Sequence, residues 1–290
     1  MKQIPTRSAA RNAAVSTRMS PPVTVHLRKM YVDCRFGQQH VHTAFPSNGG
    51  FDERVPLVCV HSSPATGRAF RRVSAELGQD RSVYAPDLPG YGESEAPESA
   101  PSVADYAAAI GDLLDTLRLR EVDLLAHQTG SFVAAELAVM RPLPVRRLVL
   151  ASVPVLDAKE REAFHQRPWP ARPRDDGSHL LEEWRRLRSS RGANVTMSRV
   201  GQLLAVSLQA GDAAGRGPTA AANYPAGERL PLVRQHALVL RPRDEFWEMT
   251  ARAQTLLPEA RCVDLPTQDG GLLDTGVPEV VRYVREFLDR

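Results

Sequence analysis

Cysteine is scarce. Cys34, Cys59 and Cys262 are odd in number, far apart and in no C-x-x-C spacing. That excludes a disulfide framework and a thiolate zinc site, and it fits a reducing, cytoplasmic setting. No run of about 18 apolar residues occurs, which excludes a membrane-spanning helix. Lysine is nearly missing: Lys2, Lys29 and Lys159 leave all but three of the 37 basic residues as arginine. Those arginines are interleaved with Asp and Glu along most of the chain. We read them as solvated faces rather than a surface for nucleic acid. Residues 1–24 contain no acid. They have the Ser, Thr, Arg and Ala content of a transit peptide but no apolar centre of a secretory signal. We expect a disordered tail there, or sequence ahead of a later start at Met19 or Met30. Finally, no histidine follows His236.

What is present is globular and patterned. The chain has 290 residues, 42% hydrophobic and 24% charged, with a net charge of +3. This suits one α/β domain carrying an insertion. Residues 23–27, 30–36 and 39–45 alternate as an opening antiparallel hairpin with its turn at Gly37. His40 and His42 share one strand face. With no third ligand apparent, we expect an exposed face and no metal site. Residues 56–60 form a near-continuous apolar run, the pattern of a strand covered on both sides. His61-Ser62-Ser63-Pro64 follows, then a helix over 67–77, a strand over 81–86 and the loop Asp87-Leu88-Pro89-Gly90-Tyr91-Gly92-Glu93-Ser94. Ser102 is placed to cap a helix over 103–117. Val122–Leu125 reads as a buried strand, followed by a tight turn ending at Gly130 and a helix over 131–140. Further strands are expected at 145–151, 236–240 and 260–265, with helices at 250–257 and 278–288. Such alternation means a parallel, helix-covered sheet. Between 153 and 229 it breaks. There Pro168, Trp169 and Pro170 sit in a loop, 179–187 and 196–209 read as helical, and 211–225 reads as a flexible alanine- and glycine-rich stretch.

The motifs H-x-x-P after one strand and D-x-P-G-x-G-x-S after the next, then strand, sharp turn and helix, resemble the α/β-hydrolase superfamily. The likeness runs from about Met30 to Arg290 and points to the cap-bearing branch of epoxide hydrolases, haloalkane dehalogenases and C–C hydrolases. It implies an α/β fold: a mostly parallel eight-stranded sheet, helices on both faces and a helical cap after the sixth strand. Core would be 25–152 and 231–290, cap 153–230 and tail 1–24.

The resemblance also implies a nucleophile at the sharp turn, in the pattern G-x-S-x-G. Here that frame reads Ala126-His127-Gln128-Thr129-Gly130. A carboxamide has no ionisable proton and cannot attack a carbonyl as a hydroxyl does. The acid would fall at Glu245, with Asp244 one place off, and Gly270 would stand where the histidine belongs. Backbone N–H groups of Thr129 and Ser63 would form the oxyanion hole. The same likeness puts His61, Ser62, His127, Trp169 and Trp247 around the pocket, with His61 expected to pack and hydrogen-bond within its loop and His127 to face back under the sheet as a buried histidine. Losing one member of such a triad typically costs about four orders of magnitude in turnover. Three readings follow. One is a pseudoenzyme that binds a small, largely apolar molecule or a partner. The second is a cofactor-independent acid–base enzyme of lyase, cyclase or isomerase type, with Asp269 or Glu245 moving a proton and Gln128 donating a hydrogen bond. The third is an atypical hydrolase with a displaced nucleophile such as Thr129, served by His127. None calls for a metal or cofactor, and each fits a monomer or homodimer with a small-molecule ligand.

Overall fold

The computed structural model describes residues 24–49, 53–166 and 173–290. The expected tail over 1–24 lies almost wholly outside the described residues, as does Trp169. The chain opens with β1 (Val25–Cys34) and β2 (Gly37–Pro46), an antiparallel hairpin paired along its full length. β3 (Leu57–Val60), β4 (Val83–Pro86), β5 (Val122–His127), β6 (Val145–Ala151), β7 (His236–Pro242) and β8 (Ala260–Leu265) complete the sheet. Its order is β1-β2-β4-β3-β5-β6-β7-β8. β2 meets β4 antiparallel, and every pair beyond that is parallel.

Burial explains these strands. All four residues of β3 are buried, and Val122, Leu124 and Ala126 of β5 point into one apolar layer while Leu125 points into the other. The first layer is closed by α2 (Val103–Thr116), α3 (Thr129–Met140) and α9 (Trp247–Leu256). The second is closed by α1 (Arg71–Leu77) and α10 (Val277–Leu288). α10 buries Val277, Val280, Val284 and Leu288, one stripe at helical spacing. α2 starts on a capping box in which the Ser102 hydroxyl accepts from the Asp105 N–H and the Asp105 carboxylate accepts from the Ser102 N–H.

Between β6 and β7 the chain leaves the sheet and forms α4 (Ala158–His165), α5 (Ser178–Ser189), α6 (Met197–Gln209), α7 (Arg216–Ala222) and α8 (Ala226–Arg229). α5 and α6 share a small core of their own around Leu187, Val195 and Val200. The Arg199–Asp274 ion pair, at 2.7 Å, ties α6 back to the sheet domain. The stretch 211–225 is a correction to the sequence reading. It is largely helical, with a 3₁₀ turn at Gly211–Ala213 followed by α7, and Ala220, Ala221 and Ala222 are buried. Alanine is the strongest helix former, and burial of this face outweighs the flexibility of the neighbouring glycines.

The second correction concerns His40 and His42. His40 is buried, and His42 is half-buried. Asp87, delivered by the end of β4, is the third group that the sequence hid: its Oδ2 lies 2.8 Å from His40 Nδ1 and its Oδ1 3.9 Å from His42 Nε2. Asp87 also accepts from the Gly67 N–H at 2.7 Å and the Glu93 N–H at 3.1 Å. Burial alone pushes this carboxyl up. The His40 hydrogen bond, His61 and the two N–H donors together outweigh burial and hold it below the ordinary aspartate value of 3.8.

A depressed pKa means stability that is complete above the unfolded-chain value and lost as pH falls through the folded one. Asp87→Asn is therefore expected to cost about 1.5–3 kcal/mol near pH 7. The melting temperatures of variant and wild type should converge as pH falls below 3.8. Equal melting temperatures at pH 7 would show that Asp87 does not hold this corner together.

Candidate active site

The chain turns sharply from β5 into α3. Gln128 sits there at φ 49° and ψ −118°, a conformation rare for a residue with a Cβ. Two residues on, a Cβ added to Gly130 would overlap the carbonyl oxygens of Val60 and His61. Only glycine lets α3 approach β3 this closely. A sharp strand-to-helix turn is thus present where the sequence reading expects it, with the Gln128 carboxamide at its apex. That carboxamide has no hydrogen-bond partner among the described residues.

Gln128 lines a small cleft, partly open to solvent, between the strand ends and the helices inserted after β6. Its floor is Ser62, Ser63, Pro64, Ala65, Gln128 and Thr129. Glu245 and Phe246 stand on one side, and α5, α6 and α7 contribute Arg186, Leu187, Leu203, Val206, Ser207 and Pro218. Ser190 and Arg191, from the link between α5 and α6, complete the wall. The structure thus brings together Gln128, Thr129, Ser62, Ser63 and Glu245.

Six other expected residues, Gly270 among them, do not line this cleft. His61 is fully buried, with Nδ1 donating to the Ser62 carbonyl at 2.8 Å and Nε2 accepting from the Leu88 N–H at 2.7 Å. This fixes its tautomer, and burial lowers its pKa. His127 is pushed down to about 3 by burial and then by the Arg191 charge, so it is neutral at ordinary pH. Its Nδ1 has no partner among the described residues. Asp244 accepts from the Ser152 hydroxyl at 2.6 Å and from the Phe246 N–H at 2.9 Å, and burial raises its pKa against both bonds. Trp247 packs against two arginines, with the Arg241 guanidinium carbon 3.9 Å and the Arg243 carbon 5.2 Å from its ring centre. Asp269 is exposed and covers Gly192, where a Cβ would overlap its carboxylate.

Gly270 lies against the chain itself. A Cβ there would sit inside the van der Waals shell of the Ser190 carbonyl oxygen. The link between α5 and α6 therefore occupies the room that a side chain at position 270 would need. From that link Arg191 enters the cleft wall. Sequence reasoning missed Arg191 altogether. The only local signal was an arginine followed by a glycine between two helices, which marks a loop but not what the loop faces.

The chain resembles known proteins over most of its length. The Alpha/beta hydrolase family profile matches residues 57–281. The 2-hydroxymuconate semialdehyde hydrolase of Pseudomonas sp. (strain CF600) is 38% identical over 109 residues, 36% of this chain and 37% of that protein. A haloalkane dehalogenase of Mesorhizobium japonicum is 34% identical over 113 residues, 39% of this chain and 36% of that protein. These alignments span little more than a third of the relatives' own length. Among solved structures, the esterase RhEst1 from Rhodococcus sp. ECU1013 superposes with a TM-score of 0.73 at 20% identity, covering 91% of this chain and 98% of the esterase. At that identity the likeness is one of fold.

Two substitutions test the geometry with opposite signs. Gln128→Gly relieves the strained backbone and is expected to raise unfolding free energy by up to about 1 kcal/mol, after the entropy cost of glycine. Gly270→Ala is expected to lower it by about 1–3 kcal/mol through overpacking against Ser190. Chemical denaturation of both variants beside wild type reads the result.

Proposed function

This chain belongs to the Alpha/beta hydrolase family, and from that premise we propose that it holds a small, largely apolar organic molecule in its cleft without working as a serine hydrolase. The supporting observation is a pair of positions. Gln128 stands at the apex with no proton to give up, and Gly270 is closed over by Ser190 so that no imidazole fits. No histidine lines the cleft among its described residues. The helical cap over residues 153–230, on this reading, roofs the site and sets ligand preference. Phe164, Leu187, Leu203, Val206 and Phe246 in the cleft lining suit a hydrocarbon portion.

Acid–base turnover of lyase, cyclase or isomerase type is a second reading, and one observation favours it. Glu245 is the sole carboxylate among the described cleft residues. Proton transfer without a covalent intermediate would run on Glu245, since Asp244 and Asp269 do not line the cleft. A displaced nucleophile at Thr129 draws no such support, because no hydrogen bond joins it to His127 among the described residues.

A fluorophosphonate probe is expected to leave the intact mass of the protein unchanged, and p-nitrophenyl esters to turn over at background. Stoichiometric labelling at Thr129 or Ser131 would reverse the proposal. Gln128→Ser combined with Gly270→His is expected to stay inert because Ser190 blocks the imidazole. An esterase rate two or more orders of magnitude above wild type would show that the room exists after all.

A further inference from the structure

Resting on the cleft-binding reading above, we propose that the ligand is a monocarboxylate with an apolar tail, its carboxylate seated on the Arg191 guanidinium. Arg191 lines the cleft. Its Nη1 donates to the carbonyl and hydroxyl oxygens of the adjacent Ser190, at 3.2 and 3.3 Å. Its other guanidinium nitrogens have no acceptor among the described residues, and no carboxylate there lies within ion-pair distance. Neighbouring arginines of the cap differ. Arg186 forms two hydrogen bonds to Glu183, at 2.7 and 2.6 Å, and Arg199 is paired with Asp274 at 2.7 Å. A guanidinium carries five N–H donors in a planar fork that matches a carboxylate. Covering it with a neutral ligand would remove water from the charge and put nothing in its place, a large penalty.

Two further features favour an anion and stand against the Glu245 carboxylate that also lines the cleft. Arg191 is held in place from below: Gly192 lies under Asp269, and Gly270 lies under the Ser190 carbonyl, so a side chain at neither position could push the loop aside. Across the cleft, Thr129 opens the 12-residue helix α3, whose free N–H groups and dipole carry partial positive charge. Gln128 adds a carboxamide able to donate. Between these polar ends lie Phe164, Leu187, Leu203, Val206, Pro218 and Phe246, a surface for a hydrocarbon chain or an aromatic ring.

The test is isothermal titration calorimetry on the full chain with benzoate, 4-phenylbutyrate and hexanoate, each beside its own primary amide. At least one acid is expected to bind ten or more times tighter than its amide, and which acid does so separates aromatic from aliphatic tails. Arg191→Met should lower the affinity for that acid at least tenfold and leave the amide unchanged, while Arg191→Lys falls between. Thermal unfolding verifies that each variant is folded, and Arg191→Gln replaces Arg191→Met if the latter is not. Equal binding of acid and amide by wild type, or undiminished acid binding by the neutral variant, overturns the carboxylate assignment and leaves the cleft reading standing. Failure of all six compounds to bind overturns both.

Discussion

The close approach of α3 to β3 is the constraint on which this site depends. Gly130 has no side chain, so the helix starts against the carbonyls of Val60 and His61, and the chain must reach that start by bending at residue 128. The bend is set by backbone packing and not by what residue 128 carries. An unfavourable φ and ψ of this kind costs about 1–3 kcal/mol, which the buried β5 and α3 around it supply. A serine and a glutamine are therefore presented to the same cleft in the same way. The backbone donor beside the apex is likewise indifferent to side-chain identity. This separation of frame from chemistry lets one fold carry unrelated functions.

Charge is arranged with equal economy around the helices inserted after β6. Glu183 is buried, accepts from Arg186 and Ser207, and so closes its own circuit within the cap. Glu136 does the same at the rear of α3, accepting from Arg229 twice and from the Tyr224 hydroxyl at 2.8 Å. Each of these carboxylates faces a guanidinium fork, whereas Arg191 has no carboxylate within ion-pair distance among the described residues. Its charge instead acts across the cleft wall on His127, which burial has already driven to the neutral form. Asp274 and Glu245 act on the Arg191 charge in the opposite sense, at longer range than an ion pair.

Much of the fold was legible because its signals are local. Period-two alternation in β1 and β2, the apolar run of β3 and the Ser102 cap of α2 each concern neighbours within a few residues. The elbow could be read for the same reason: strand, glycine turn and small-residue helix are contiguous. What sequence reading missed depends on residues far apart in the chain. Asp87 joins His40 across 47 positions, so the two histidines looked like an exposed strand face. The alanine-rich stretch at 211–225 looked loose until α3 and the cleft were there to bury it. Asp269 and Glu245 looked equivalent as acids, although one is turned onto Gly192 and the other lines the cleft. Arg191 gave the weakest signal, being one arginine in a chain full of them.

The contact between Gly270 and the Ser190 carbonyl also couples two distant parts of the chain. A side chain of any kind can enter at 270 only after the α5–α6 link has moved away, and Arg191 rides on that link. A substitution in the loop after β8 would therefore be read out in the cleft wall, far along the sequence from where it was made.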